Sequence, residues 1–180
     1  MDKNMDSLND IIMAEHSRAQ ADFIADIVIK QPAILGELLE IVFRNEEPVS
    51  RRASWPLRII SDRNPQIVEP FVPQIINILP VIDSIPIQRA FLALLVNVDI
   101  PEELHGEVLQ FTSEVLMDKG SEIAHVIYST DIFYKLSVNE PDLLNELALM
   151  LEQLLPFGSA GVKSKSTRTI NKIHKKLGIR

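Results

Sequence analysis

The amino-acid sequence predicts an all-α fold, a right-handed α-α superhelix or solenoid of about four helical pairs that follow an N-terminal partial repeat. Three observations predict it. Proline-led segments recur along the chain, paired apolar residues return every fourth position after them, and no stretch shows a convincing strand pattern. One amphipathic helical pair cannot bury its own apolar face, whereas stacked neighbours bury it in a continuous core.

Four segments begin with proline and continue in the same way, with gaps of 33, 36 and 40 residues between the prolines. Proline favours the first turn of a helix, because its missing N–H needs no partner there and its φ is already helical. Each proline therefore predicts the start of the first helix of a pair. The segments are Pro32-Ala-Ile-Leu, Pro65-Gln-Ile-Val, Pro101-Glu-Glu-Leu and Pro141-Asp-Leu-Leu.

Four further prolines fall inside predicted helices, where we expect a kink or a shortened helix. Two of them lie near the start of the helix that begins at Pro65, so its first turn is expected to be irregular. These prolines are Pro56, Pro70, Pro73 and Pro80.

The spacing of the prolines and of the short polar linkers between helices predicts one repeat domain over the whole chain. Ahead of the complete pairs, the sequence has room for one lone amphipathic helix and a short leading segment. We expect a cap or frayed segment at 1–17, a partial repeat at 18–30, and helical pairs at 32–63, 65–98, 101–138 and 141–178 within a single domain, 1–180.

The segment from Pro32 to Pro65 resembles a HEAT repeat. That family pairs a leucine-rich first helix with a short acidic turn and a second helix that reads Val-Arg-x-x-Ala-x-x-x-Leu. The resemblance covers roughly 18–178, and it implies the fold but not the function, since HEAT arrays serve many roles. The third and fourth copies depart from the pattern, with Ala124-His125 where Arg-Ala is expected. The matching residues are Val49, Arg51 or Arg52, Ala53 and Leu57 in one copy, and Ile87, Arg89, Ala90 and Leu94 in the next.

Charge is distributed unevenly along the chain. The net charge is −7, but residues 161–180 carry +7 with no acidic residue, so residues 1–160 carry −14. Summed over the predicted helices, the first helices carry −9 and the second helices +9. The HEAT resemblance implies that the second helices line a concave face. A basic concave face attracts an anionic partner, either an acidic protein segment or a nucleic-acid backbone.

The candidate partner-binding residues lie on the second helices. Several have a structural alternative: Arg52 and Arg89 occupy a position that in HEAT repeats often bonds within the stack, and the terminal lysines suit a solvated polar cap. Trp55 is interpreted either as a core residue between repeats or as an aromatic platform. The candidates are Arg51, Arg52, Trp55, Arg58, Arg89, His125, Tyr128, Lys135, Lys163, Arg168 and Lys172.

No catalytic residue, metal site or cofactor is predicted. The chain has no cysteine, and its four histidines form no spaced ligand pair with a carboxylate. It also has no glycine-rich phosphate loop and no Gly-x-Ser-x-Gly elbow, and Gly158-Ser-Ala-Gly161 is interpreted as a linker and helix start. The prediction is a non-catalytic protein-interaction module that binds an acidic segment through the concave face.

A nucleic-acid function is the alternative. The repeat plan and the grouping of Trp55 with arginines resemble HEAT-like DNA glycosylases for alkylated bases, and Tyr128, Asp131 and Tyr134 form a similar cluster. The net charge of −7 disfavours nucleic acid, because such binders normally carry a positive excess. A small-molecule enzyme with a pocket that no motif reveals is the third hypothesis.

The expected location is the cytoplasm, with no membrane partner. Met1 to Asp10 has three aspartates and no apolar run, unlike a signal peptide, and no apolar stretch approaches the roughly 20 residues of a membrane helix. The absence of cysteine fits a reducing compartment. The oligomeric state stays open, with residues 7–30 as the first place where two chains would pair.

Overall fold

The computed structural model describes residues 7–179, and these residues form ten α-helices and four short 3-10 helices without a β-strand. The predicted all-α class of paired helices is therefore confirmed. The chain divides between Ile100 and Pro101 into two compact units, each of which is described by itself. The right-handed sense of the superhelix and the single domain over 1–180 stay predictions.

The first unit stacks its second helices side by side. Helix α2 packs against α4, and α4 packs against both α3 and α6. The faces that meet are apolar, with Leu38, Leu57, Ile60 and Phe91 fully buried. Burial of such stripes is what holds paired helices together. Its α-helices are α1 (Leu8–Ala14), α2 (Arg18–Lys30), α3 (Ile34–Phe43), α4 (Val49–Arg63), α5 (Val72–Ile78) and α6 (Ile85–Asn97).

Helix α1 lies within the cap or frayed segment predicted at 1–17, of which residues 1–6 lie outside the described residues. A capping box starts the helix, because the Ser7 hydroxyl accepts from the Asp10 N–H while the Asp10 carboxylate accepts from the Ser7 N–H. Leu8 and Ile12 are buried. The described part of this segment is therefore a capped helix that contributes apolar surface to the core.

The turn between α3 and α4 is fixed by a buried serine. The Ser50 hydroxyl donates to the Ile41 carbonyl at the end of α3 and accepts from the Glu46 N–H. Asn45, ahead of it, has a φ of 54°, in the left-handed region that asparagine tolerates better than most residues. The Ser50 hydroxyl thus supplies hydrogen-bond partners for backbone groups at the turn where α4 folds back on α3.

The prolines after Pro65 break the first helix of the next pair. Two 3-10 turns, Pro65–Ile67 and Glu69–Phe71, precede the short helix α5, and a third, Leu79–Val81, follows it. Each of these short helices has a proline in its first turn, where the missing N–H costs no helical hydrogen bond. The prolines are Pro65, Pro70, Pro73 and Pro80. Pro56 does not shorten its helix, since α4 runs through it to Arg63.

The second unit is two stacked helical pairs. Helix α7 packs against α8, α9 packs against α10, and α8 also contacts both α9 and α10. The core between them includes Phe133, Leu147, Leu151 and Ile173, all at most 1% exposed. The α-helices of this unit are α7 (His105–Met117), α8 (Ile123–Ser137), α9 (Pro141–Leu154) and α10 (Ala160–Leu177).

Candidate partner-binding site

The basic C-terminal segment folds as helix α10, which has a defined start and end. The Ser159 hydroxyl accepts from the Val162 N–H at its start, and Gly178 ends it with a φ of 70°, a conformation that glycine adopts without a steric penalty. Val162, Ile170 and Ile173 are buried against the unit's core. The opposite face is therefore presented to solvent with most of its lysines. Arg180, counted in the basic segment, lies outside the described residues.

An open pocket of about 190 Å³ lies between α8 and α10. Helix α10 lines it with four polar residues at i, i+3, i+4 and i+7, which share one helix face. Helix α8 supplies an aspartate and a tyrosine three positions apart, which also share a face. We call this the basic pocket; its residues are Asp131, Tyr134, Lys165, Arg168, Thr169 and Lys172.

Two contacts across the basic pocket hold its lysines in place. The Lys165 ammonium forms an ion pair with the Asp131 carboxylate, and its side chain is only 19% exposed. The Lys172 ammonium lies 4.0 Å from the centroid of the Tyr134 ring, at cation–π distance. Both lysines are thus positioned by α8, so the two helices form the site together.

The basic pocket has a net charge of +2. It contains three cations, Lys165, Arg168 and Lys172, against the single carboxylate of Asp131. Arg168 is exposed, and its Nε donates to the Ser164 carbonyl at 3.3 Å. Among residues 7–179, no carboxylate forms an ion pair with Arg168 or Lys172. The arrangement can therefore neutralise an incoming anion.

A family model described as a HEAT repeat domain matches residues 8–173. The chain belongs to the HEAT repeat family. Members of this family are helical-repeat scaffolds that commonly mediate protein interactions. No curated protein and no solved structure gave a significant match to the chain.

In the first unit of this HEAT repeat domain, the arginines predicted on α4 contact neighbouring residues. Arg51 forms an ion pair with Glu47 at 2.9 Å and Arg58 one with Asp62 at 3.9 Å, each one helical turn away. The Arg52 guanidinium donates to the Met13 carbonyl at 3.1 Å, which ties α4 to the end of α1. The two ion pairs reduce the positive charge that α4 offers to a partner, and the hydrogen bond engages Arg52 within the unit.

Trp55 and Arg89 lie on different second helices of the first unit. Trp55 is half-buried on α4, and the edge of one ring meets the face of the other in its contact with His16, with ring centroids 5.9 Å apart. Arg89 is exposed on α6. Nothing in the contacts of these two residues joins them into one site.

In the second unit, the remaining candidates are placed at different depths. His125 is buried on α8, Tyr128 and Lys135 are half-buried on the same helix, and Lys163 is exposed on α10. None of these four lines the basic pocket, so of the predicted set the structure brings together Arg168 and Lys172. A common concave face formed by all eleven candidates stays a prediction.

Four residues of the basic pocket are not among the predicted partner-binding residues. Lys165 and Thr169 share the i, i+3, i+4, i+7 spacing with Arg168 and Lys172, so a helical projection of α10 carries the signal. Asp131 and Tyr134 belong to the prediction only through their cluster with Tyr128. No spacing within one helix predicts that α8 faces α10 at these positions.

The described residues offer neither a metal site nor a membrane-spanning helix. Residues 7–179 contain no group of three or more histidine, aspartate or glutamate side chains arranged to hold a metal ion. None of the described helices combines the length and the apolar character that a membrane crossing requires.

Acidic residues of α2 are linked to the end of α4 by ion pairs. Arg63 donates to Asp22 at 2.6 Å and to Asp26 at 2.8 Å, and Arg18 donates to Asp22 at 2.8 Å. The hydrogen bond from Arg18, with the nearby Arg63, lowers the pKa of the Asp22 carboxyl. The pairs therefore stabilise the stacking of α2 on α4 while Asp22 is ionised.

We expect the stability difference between the wild type and Asp22→Asn to shrink in acid. A carboxyl whose pKa is lower in the folded than in the unfolded protein stabilises the fold at pH values above its unfolded pKa of about 3.9. This stabilisation is lost as the pH falls through the pKa of the folded state. Urea unfolding between about pH 7 and pH 2.5 measures it, with Asp83→Asn, an exposed carboxylate of the same unit, as the control. A constant difference across this range would contradict the prediction.

Proposed function

We propose that this HEAT repeat domain is a non-catalytic protein-interaction module that binds an acidic segment of a partner protein at the basic pocket. The observation that carries the proposal is the +2 charge that Lys165, Arg168 and Lys172 give the pocket, with Asp131 as its only carboxylate. Cations held by a rigid helical scaffold favour an anionic partner, since their charge is placed before binding.

The surroundings of the basic pocket support an extended partner. Lys163, Lys175 and Lys176 are exposed on α10 outside the pocket. Lys175 and Lys176 follow Lys172 by three and four positions, so they lengthen the positive surface beyond the C-terminal side of the pocket, whereas Lys163 lies on another face of α10. Charges at such a rim increase the association rate more than the final affinity.

The pocket residues favour binding over catalysis. Asp131 is paired with Lys165, and the Tyr134 ring is covered by the Lys172 ammonium. A general base is most often an imidazole or a carboxylate; no histidine lines the pocket, and its one carboxylate is already engaged by the Lys165 ammonium. The pocket is also smaller than the roughly 300–1,000 Å³ of typical small-molecule sites.

The proposal is tested with a fluorescein-labelled peptide of twelve alternating glutamates and aspartates, by fluorescence anisotropy. We expect a micromolar Kd at about 50 mM salt that weakens at about 200 mM, because salt screens exposed charges. The double variant Arg168→Glu/Lys172→Glu is expected to weaken binding at least about tenfold, equivalent to about 1.4 kcal/mol. Lys175→Glu/Lys176→Glu, with the same charge change on the same helix, is expected to weaken it less.

Two outcomes would contradict the proposal. One is no binding of the acidic peptide at about 50 mM salt, and the other is an equal loss in both double variants, which would show that only total charge matters. A duplex DNA probe in the same assay addresses the nucleic-acid alternative, for which the cations near Tyr134 are the supporting observation. Tighter binding of DNA than of the peptide, lost in the pocket variant, would favour that alternative.

A further inference from the structure

The size, charge and donors of the basic pocket favour one particular anionic group. We propose that this pocket anchors a phosphomonoester, as in phosphoserine or phosphothreonine, carried by the partner's acidic segment. This inference rests on the proposed function and deepens it, because it names the group that enters the pocket.

The volume of the basic pocket suits one compact group. Its volume of about 190 Å³ lies below the roughly 300–1,000 Å³ of sites that hold whole small molecules. A phosphate has five heavy atoms and fits such a space, with its ester oxygen directed to the open side. The small size and the open side favour the tip of a larger molecule that lies on the surface.

The charge of the basic pocket matches a dianion better than a carboxylate. Its net charge is +2, and a phosphomonoester carries about −1.5 to −2 at neutral pH. A glutamate or aspartate of the partner supplies only −1, as does each phosphodiester of a nucleic acid. The monoester therefore neutralises the charge of the pocket most completely. We expect it to bind measurably more tightly than a carboxylate or a phosphodiester.

The hydrogen-bond donors of the basic pocket suit the three terminal oxygens of a phosphomonoester. Arg168 offers the planar fork of its guanidinium, which matches phosphate geometry, and Lys172 adds an ammonium that Tyr134 holds in place. Thr169, a buried residue of the lining, adds a hydroxyl. Donors that are fixed before binding lower the entropic cost of holding the ligand.

Asp131 limits the affinity of the basic pocket for an anion. In the free protein its carboxylate is paired with Lys165, so an incoming phosphate shares that lysine and is repelled by the carboxylate. Asp131→Asn raises the net charge of the pocket to +3 without changing the size of the side chain. We expect this variant to bind a phosphopeptide at least about threefold more tightly, whereas loss of a merely structural ion pair would weaken binding or leave it unchanged.

The experiment compares three labelled peptides with the same glutamate-rich flanks and a central serine, glutamate or phosphoserine. We expect the phosphoserine peptide to bind about tenfold more tightly than the glutamate peptide. The double variant Arg168→Gln/Lys172→Gln is expected to remove this preference, and Lys175→Gln/Lys176→Gln to keep it. All substituted side chains are on the surface or half-buried, and circular dichroism checks that each variant is folded.

The outcomes separate this inference from the proposed function. Equal affinity for the phosphoserine and glutamate peptides would overturn the phosphate assignment and leave acidic-segment binding intact, whereas failure of all three peptides would overturn both. A preference that survives Arg168→Gln/Lys172→Gln would place the phosphate elsewhere. Inorganic phosphate is added as a competitor, and displacement at the same concentration as an unlabelled phosphopeptide would assign the pocket to free phosphate.

Discussion

Replacement of Phe133 by alanine is expected to lower the free energy of unfolding by about 3–5 kcal/mol. Phe133 lies on α8 and is 1% exposed within the core of the second unit. Truncation removes the buried ring and leaves a cavity among leucines of α9, which close-packed helices fill only in part. This loss is a large share of the roughly 5–15 kcal/mol that stabilises a typical domain.

Urea denaturation followed by circular dichroism measures this effect. Phe157→Ala is the matched control, because it makes the same truncation in the same unit at a side chain that is 64% exposed. Its only described ring contact is with the Lys119 ammonium, so we expect a loss below about 1 kcal/mol. Similar losses in the two variants would contradict the packing of α8 against α9 and α10.

The same packing explains how α8 presents its pocket residues. Ile132 and Phe133 are buried, whereas the flanking residues Asp131 and Tyr134 are half-buried. Burial of Phe133 in the core of the second unit fixes the rotation of α8, and this rotation directs Asp131 and Tyr134 toward α10. The core of the second unit therefore sets the geometry of the candidate site.

Much of the fold was predictable because proline and apolar spacing act locally. Pro141 is the first residue of α9, and α3 begins two residues after Pro32. The irregular segment after Pro65 was predictable for the same reason, since each proline removes an N–H and clashes with the preceding turn. These effects depend on a few neighbouring residues, and the amino-acid sequence shows them directly.

The basic pocket was less predictable because it joins residues far apart in the chain. Lys165 and Asp131 are separated by 34 positions, and their pairing depends on the alignment of α8 with α10. Helical spacing shows which residues share a face, but not which face of another helix lies opposite. Summed charge accordingly predicted a basic α10 without locating its pocket.

The basic character of α4 was overestimated for a reason that the sequence does contain. Glu47 precedes Arg51 by four residues, and Asp62 follows Arg58 by four, a spacing that brings opposite charges together on a helix. Counting net charge by helix hides such pairs. A count restricted to cations without a carboxylate at i±4 leaves α4 with two, Arg52 and Arg63, and α10 with all six of its cations.

Replacement of Gly158 by alanine is expected to destabilise the protein by about 1–2 kcal/mol through overpacking. A Cβ at Gly158 would lie 2.7 Å from Cγ1 of Val162 and 3.1 Å from the backbone oxygen of Leu154. Val162 is buried and β-branched, so its rotamers are few, and the Leu154 carbonyl already accepts from the Phe157 and Gly158 N–H groups. Relief therefore requires a shift of α10 relative to α9.

Gly106→Ala is the control, since it is the same substitution in the same unit but is expected to raise the free energy of unfolding. A Cβ at Gly106, in the first turn of α7, meets no atom within 4 Å, and alanine favours a helix over glycine by up to about 1 kcal/mol. Urea denaturation compares the two variants. If Gly158→Ala is as stable as the wild type, the close approach of the α9–α10 turn to Val162 is wrong. The placement of α10 against α8 that forms the basic pocket would then lose its support at this end.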